Sequence, residues 1–152
     1  EALGMVRRHR IIETFLVSEL GYGWDEVHDE AEVLEHACSD RMIEAMDSRL
    51  GHPTRDPHGD PIPQPDGSVP SPPAVNLAEA PAGTWTVARL ADSDPDLLRY
   101  LGESGLVLDA RVDVGERPPY SEGVSLRVED AEAVLLGAEA AAAVWVIPHG
   151  RS

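Results

Sequence analysis

Apolar residues in the first third of the chain recur every three to four positions, the spacing that places them on one face of an α-helix. This pattern predicts a first helix from Leu3 to about Leu20, and Gly21 and Gly23 then end it. The apolar positions of this helix are Val6, Ile12, Phe15, Leu16 and Leu20.

Two further helices are predicted before residue 51. Asp25 is a suitable N-cap for the first of them, which should run to about Cys38. Ser39 and Asp40 can cap the second, which is closed by the glycine and proline of the segment GHP at 51–53. The apolar stripe of this last helix consists of Met42, Ile43, Met46 and Leu50.

The pattern changes twice after the helices. From His52 to about Pro81, prolines and glycines are so frequent that we predict an ordered turn followed by a linker. From Gly83 to Ile147, polar and apolar residues alternate as in half-buried strands, in the segments TWTVARL, ARVDVGE, GVSLRVE and AVWVIP. One short helix, Pro95 to Gly102, interrupts these strands.

These patterns predict an α+β chain with two domains. Residues 1–65 are assigned to a helical domain, residues 66–80 to a proline-rich linker and residues 81–152 to a β domain. About five short strands and one helix are typical of a small SH3-like barrel, so this is the fold we expect for the β domain.

The charge balance narrows the choice of partner. The sequence has 28 acidic and 12 basic residues, a formal net charge of −16 at pH 7. An acidic surface of this kind repels phosphate groups, so this chain alone should not bind DNA. The same surface can attract divalent cations.

The sequence also indicates the cellular compartment of the protein and an upstream segment that the chain does not include. The single cysteine, Cys38, excludes an intrachain disulfide and suits a reducing compartment. No apolar run approaches the ~20 residues needed to span a bilayer, and the N-terminus has no signal-peptide layout. We therefore expect a cytoplasmic protein. The chain starts at Glu1 and its first methionine, Met5, already lies in a helical pattern, which predicts a missing upstream segment.

The most informative chemistry lies in the segment VHDEAEVLEHACS at 27–39. Residues three, four, seven and eight apart share a helix face, and His28, Glu32, Glu35 and His36 have that spacing. In the preceding helix His9 and Glu13, four apart, also share a face. If the two helices pack as antiparallel neighbours, six potential ligands converge. Nitrogen and oxygen donors without sulfur suit manganese, iron(II), cobalt or zinc.

Other interpretations remain open at this point. A single His–Glu pair on a helix is more often solvated than a ligand pair. Cys38 is expected to be a small buried residue, and His52, His58 and His149 receive no role. The chain lacks a phosphate-binding loop, a nucleophile elbow, an HExxH motif and the paired Glu-x-x-His helices of di-iron proteins, so we expect no enzyme.

Three segments in order resemble the diphtheria-toxin-repressor family, which includes iron repressors and manganese transport regulators. They are RRHRIIETFL, VHDEAEVLEHACSD and GHPTRDPHGDPIP, within roughly the first 65 residues. The segment DPDLLRYLGESGLVLDARVDV resembles the SH3-like (FeoA-like) domain of the same family. The resemblance implies an N-terminal winged helix-turn-helix as well, which this chain lacks, together with the metal ligand that this domain contributes.

The resemblance also implies roles for the candidate ligands. Glu32, Glu35 and His36 match the primary, activating metal site of the family. The ancillary site of iron-type members is matched by His9, Glu13 and His28, and Asp94 is the plausible ligand from the SH3-like domain. Manganese-type members have glutamate at the position of Glu32, where iron-type members have cysteine, so manganese is favoured. His28 fits the iron-type pattern better than that of some manganese regulators.

The resemblance implies a metal-dependent repressor that acts as a homodimer. Mn²⁺ is the expected metal, with Fe²⁺ as the alternative, and Zn²⁺, Co²⁺ or Ni²⁺ could substitute in vitro. Operator DNA would be bound through the missing winged helix, no membrane would be involved, and metal would stiffen the helices in a two-state switch. Dimer contacts are expected from Met42, Ile43, Met46 and Leu50. The alternatives are an iron-type repressor, a metal-buffering or metallo-hydrolytic domain, and a purely structural dimerisation module.

Overall fold

The computed structural model describes residues 2–117, 119–120 and 122–150 and divides the chain into two compact units, residues 1–71 and 72–152. The first unit contains three helices: α1 (Ala2–Leu20), α2 (Val27–Leu34) and α3 (Asp40–Arg49). The helical prediction for this part of the chain is confirmed, although the second helix is shorter than expected.

The core of the helical unit is built from the predicted apolar faces and from the proline-rich segment. Its buried residues include Ile11, Ile12, Leu16, Val27, Ala31, Ile43, Met46 and Ile62. Ile62 lies beyond the helices and is nevertheless fully buried. The segment after α3 is therefore part of the helical fold.

The end of α2 differs from the prediction, which placed it near Cys38. The backbone N–H groups of Ala37 and Cys38 both donate to the carbonyl of Leu34, at 3.0 Å each, and this closes the helix. Ser39 is extended and its hydroxyl accepts a hydrogen bond from the Met42 N–H, so it caps α3 as predicted. Because Ser39 must be extended to act as a cap, the chain leaves the helical conformation before it.

The proline-rich segment that follows α3 folds into an ordered loop. The Ile62 N–H donates to the Thr54 carbonyl at 2.9 Å, and the Asp56 N–H donates to the Asp60 carbonyl at 2.9 Å. Arg10 of α1 donates to the Pro61 carbonyl at 2.6 Å. These bonds hold the loop against α1, so the ordered turn that was predicted here packs against the helical unit.

Within its described residues, the second unit contains one antiparallel sheet of six strands. The strands are β1 (Val75–Asn76), β2 (Gly83–Leu90), β3 (Arg111–Val114), β4 (Val124–Val128), β5 (Val134–Leu136) and β6 (Val144–Pro148). Their order in the sheet is β1-β6-β2-β3-β4-β5, and every neighbouring pair is antiparallel. Two helices, α4 (Pro95–Glu103) and α5 (Ala138–Ala141), accompany the sheet.

The four strand segments and the helix that the sequence pattern named are present, in a sheet of six strands where about five were predicted. β5 and α5 lie outside the named segments. β1 and the 3₁₀ turn Leu77–Glu79 lie inside the segment assigned to the linker at 66–80. The second unit thus begins at Pro72, before the predicted start at residue 81. None of the helices in the described ranges is long and apolar enough to cross a membrane.

Candidate metal centre

Three of the predicted ligands come together where α1 packs against α2. His9 Nε2 lies 3.1 Å from His28 Nδ1 and 3.3 Å from Glu13 Oε2. His28 Nδ1 lies 3.4 Å from the same Glu13 oxygen. The three atoms therefore form a nearly equilateral triangle, and we call His9, Glu13 and His28 the metal trio.

The triangle has the dimensions of a coordination shell. Donors about 2.1 Å from a divalent ion are roughly 3.0 to 3.4 Å from one another in octahedral or tetrahedral arrangements. The side chain of Glu13 is fully buried, and those of His9 and His28 are 15% and 29% exposed. Two imidazole nitrogens and one carboxylate oxygen suit a divalent transition metal. The residues present thus fit a metal ion.

The other nitrogen of each histidine contacts a second carboxylate. His9 Nδ1 lies 2.7 Å from Glu35 Oε2, and His28 Nε2 lies 3.2 Å from Glu32 Oε1. A histidine that binds metal usually donates its other N–H to such a partner, which fixes its tautomer and ring orientation. Glu32 and Glu35 can therefore orient the two histidines of the metal trio.

The carboxylates also change the proton affinity of the site. Burial of His9 disfavours its charged form, but hydrogen bonds to Glu13 and Glu35 and their negative charges outweigh burial and raise the pKa of His9 to about 9. Burial acts to raise the pKa of Glu13, but the hydrogen bond and charge of His9 lower it overall. In the metal-free chain a proton on His9 therefore neutralises the Glu13 carboxylate at neutral pH.

The predicted primary ligands do not form a comparable cluster. Within the described ranges, the ligand atoms of Glu32, Glu35 and His36 do not all come within 4.8 Å of one another. His36 is 75% exposed and its Nε2 lies 3.6 Å from Glu35 Oε1. Although α2 ends at Leu34, Glu35 keeps a helical backbone conformation and its N–H donates to the Ala31 carbonyl at 2.9 Å. His36 lies in the turn that follows.

Asp94 and Cys38 have other contacts. The Asp94 carboxylate caps α4, where it accepts hydrogen bonds from the N–H groups of Asp96 and Leu97 at 3.1 and 3.2 Å. This is a structural role within the second unit. Cys38 is buried as expected, and its carbonyl accepts a hydrogen bond from Arg8.

The predicted dimer residues divide into two groups. Ile43 and Met46 are 3% and 7% exposed and belong to the core of their own helical unit. Leu50 is partly buried against that core. Met42 is 49% exposed, so its side chain is the one of the four that remains largely accessible to a second chain.

Two residues that received no role from the sequence lie directly behind Glu13. Asp56 and His58 are 2% and 0% exposed, and their ligand atoms lie within 4.8 Å of that of Glu13. The prolines and glycine of the segment DPHGDP predicted a turn. Nothing in its local pattern indicated that the turn would be buried against α1, since that depends on a long-range contact.

Models of known protein families match both units. Residues 1–64 match the iron-dependent repressor metal-binding and dimerisation domain. Residues 75–148 match the FeoA domain. These matches confirm the predicted fold class, a helical metal-binding domain followed by an FeoA-like domain.

Relatives match along nearly the whole chain. The iron-dependent repressor IdeR of Mycobacterium bovis is 35% identical over 158 residues, covering 95% of this chain and 68% of that protein. A solved manganese-dependent transcriptional repressor, in complex with manganese, is 55% identical with a TM-score of 0.92, covering 96% of this chain and 70% of that one. The manganese regulator SloR is 30% identical with a TM-score of 0.85, covering 97% and 68%.

Proposed function

This chain belongs to the iron-dependent repressor family, whose members are metal-dependent transcriptional repressors and not enzymes, and we propose that its metal trio senses Mn²⁺. The predicted family and the predicted functional class are confirmed. The chain carries the metal-binding and dimerisation region of such a repressor. The choice of metal, the dimer contacts and the route to DNA are proposals.

The observation that carries the proposal is the triangle formed by His9 Nε2, Glu13 Oε2 and His28 Nδ1, with sides of 3.1, 3.3 and 3.4 Å. In the metal-free chain a proton on His9 supplies positive charge between these three atoms. A divalent ion that displaces this proton would supply the charge instead and would contact all three donors. A solvated acidic face has no reason to bury its carboxylate completely, as Glu13 is buried.

Manganese is favoured by the donor atoms near the metal trio. Both carboxylates that contact its histidines, Glu32 and Glu35, offer hard oxygen atoms, and the only cysteine of the chain, Cys38, is buried elsewhere in the helical core. Hard oxygen donors favour Mn²⁺ over metals that prefer thiolates. Fe²⁺ is the alternative, because it accepts the same nitrogen and oxygen donors.

The contacts of the two histidines suggest how the metal trio and the predicted primary ligands are coupled. In this arrangement Glu35 contacts His9, and Glu32 contacts His28. A change in the charge or orientation of either histidine therefore acts directly on the carboxylate of Glu32 or Glu35. We expect metal binding at the trio to stabilise one arrangement of Glu32 and Glu35, as the two-state switch requires.

A homodimer would place two such sensors side by side, and operator DNA would be bound by winged-helix domains that residues 1–152 do not contain. Met42 is the large exposed apolar side chain of α3, and we place it in the dimer contact. Met42→Glu should therefore weaken the dimer by tenfold or more, about 1.4 kcal/mol or more. Sedimentation velocity measures this, with Arg41→Glu, also exposed on α3, as the control; unchanged association of Met42→Glu would exclude this contact.

Calorimetric titration with Mn²⁺ in buffers of different ionisation enthalpy tests the proposal. At pH 7 His9 is protonated in the metal-free chain, because its pKa is about 9. Coordination through Nε2 requires the neutral ring, so about one proton should leave for each metal bound. The measured enthalpy should then vary with the buffer, and this variation should shrink as the pH approaches 9.

Metal binding should strengthen as the pH rises, because it releases a proton, whereas the free energy of unfolding of the metal-free chain should fall as the pH rises. Protonated His9 stabilises the fold fully below its unfolded pKa of 6.5, and this contribution is lost as the pH rises through about 9.

Absence of Mn²⁺ binding would contradict the proposed function and favour a structural dimerisation module. Binding without proton release would exclude His9 as a ligand.

A further inference from the structure

The side chain of Arg8, on α1, contacts both ends of the turn between α2 and α3. Its Nε donates to the Glu35 carbonyl at 3.1 Å. One terminal nitrogen donates to the Cys38 carbonyl, and the other donates to the Asp40 carboxylate at 2.8 Å. The Arg8 side chain is only 18% exposed. Because a guanidinium presents its donors in a rigid planar fork, these three bonds fix the turn against α1.

The end of a helix needs such a donor, because its last carbonyl groups have no partner within the helix. The backbone bonds that close α2 are accepted by the carbonyls of Ala31 and Leu34. The carbonyls of Glu35 and Cys38, further along the chain, accept their hydrogen bonds from Arg8. A cation at this end of α2 also interacts favourably with the helix dipole. Arg8 therefore stabilises the place where α2 ends.

The turn that Arg8 contacts also carries a partner of the metal trio. The Glu35 carboxylate lies 2.7 Å from His9 Nδ1, and its side chain is 17% exposed. Arg8 and His9 are consecutive residues of α1, so their side chains leave the helix about 100° apart. Glu35 is thus held twice by α1, through its main chain by Arg8 and through its carboxylate by His9.

We propose that Arg8 is a positioning residue of the metal trio, which holds the main chain of Glu35 so that its carboxylate stays on His9 Nδ1 and His9 Nε2 faces the metal. The inference rests on the proposed metal-binding function. Loss of the outer partner of a histidine ligand typically weakens metal affinity about 10- to 100-fold. Arg8 acts on that partner without contacting the histidine, so we expect an effect at the lower end, about tenfold.

Positioning and charge predict opposite effects when Arg8 is replaced. A guanidinium repels Mn²⁺, so loss of its charge alone would leave the affinity unchanged or raise it. Loss of its bonds to the turn should lower the affinity, and we expect the Kd of Arg8→Met for Mn²⁺ to rise about tenfold. Arg8→Lys keeps the charge but not the planar fork, and its Kd should rise by at least about threefold. Calorimetry on the whole chain measures both.

A double-mutant cycle with Glu35→Ala tests whether Arg8 acts through Glu35. Each single variant should weaken Mn²⁺ binding. In the Glu35→Ala background, Arg8→Met should change the Kd by less than about twofold, because the carboxylate that Arg8 positions is already gone. A general structural contribution of Arg8 would instead lower the affinity equally in both backgrounds.

Hydrogen exchange provides a readout that needs no metal. The Cys38 N–H donates to the Leu34 carbonyl at 3.0 Å within the turn that Arg8 contacts. In the metal-free chain this amide should exchange faster in Arg8→Met than in the wild type, because the turn has lost its contacts with α1. Circular dichroism of each metal-free variant establishes that it is folded.

Two control variants separate the bonds to the turn from other effects of arginine. Arg49→Met removes an arginine that is 72% exposed and pairs with Glu19, and its Kd should stay within about twofold of the wild-type value. Asp40→Asn removes the exposed carboxylate partner of Arg8 and leaves both carbonyl bonds in place. Its effect should also stay within about twofold, because exposed ion pairs contribute little.

The outcomes separate this inference from the proposed function. Wild-type or tighter Mn²⁺ binding in a folded Arg8→Met would overturn the positioning role and leave the sensor in place. Equal losses in both backgrounds of the cycle would make Arg8 a structural residue only. If Arg8→Met does not fold, the same comparisons are made with Arg8→Lys. Failure of the wild-type chain to bind Mn²⁺ would refute the metal-sensing function itself, and the inference with it.

Discussion

Replacing Glu13 by glutamine is expected to weaken Mn²⁺ binding at the metal trio by at least about 100-fold, on the order of 3 kcal/mol. Glutamine has nearly the same shape, so the change removes the negative charge and leaves the packing of α1 largely intact. Glu13 is the fully buried member of the trio, and no water can replace its carboxylate as a ligand without rearrangement.

The same substitution should alter the proton balance of the site. Glu13 contributes through both its hydrogen bond and its charge to the raised pKa of His9. Without that charge the pKa of His9 should fall, and proton release on metal binding at pH 7 should decrease with it. Calorimetry measures both effects, with Glu19→Gln as the matched control, since Glu19 lies on α1 and pairs with Arg49 away from the trio. Unchanged Mn²⁺ affinity in Glu13→Gln would mean that the metal trio is not the Mn²⁺ site.

Glu32 matches a ligand of the primary metal site in the predicted family pattern, and a cysteine in its place is expected to shift the metal preference of the chain by at least about tenfold from Mn²⁺ toward Zn²⁺, because a thiolate ligand favours softer metals than a carboxylate does. Glu32 is 59% exposed and its Oε1 lies 3.2 Å from His28 Nε2. The smaller cysteine side chain therefore fits at this exposed position, next to a histidine of the metal trio.

The relevant measurement is the ratio of the Kd values for Zn²⁺ and Mn²⁺, determined without reducing agents that bind metal. Glu32→Gln is the control, because it keeps an oxygen donor and introduces no thiolate. If Glu32→Cys left the ratio unchanged, the explanation of selectivity by a hard oxygen donor at this position would be wrong.

Local signals predicted much of the helical unit. The spacing of apolar residues located α1, and Ser39 was recognised as a cap because its side chain acts on a neighbouring N–H group. His9, Glu13 and His28 lie together as expected, because each lies within a helix, where the spacing fixes the face, and their role as metal ligands stays a prediction. These features depend on residues no more than a few positions apart, or on two regular helices packing together.

The remaining features depend on contacts that no local pattern contains. Glu32, Glu35 and His36 were expected on one helix face, but α2 ends at Leu34 before the cap of α3, and His36 lies in the turn between them. Their role as primary ligands stays a prediction. The burial of Asp56 beside Glu13 depends on a loop folding back against α1, more than 40 positions away in the sequence. β1 was missed for the same reason, since a strand of two residues is defined only by its pairing with β6.

Anomalous X-ray diffraction from crystals of this chain soaked with Mn²⁺ would locate the bound metal. We expect an anomalous peak in coordination contact with His9 Nε2, Glu13 Oε2 and His28 Nδ1, with Glu32 and Glu35 beside the two imidazoles. A peak found only at other acidic groups of the surface, with the metal trio still joined by its own hydrogen bonds, would contradict it.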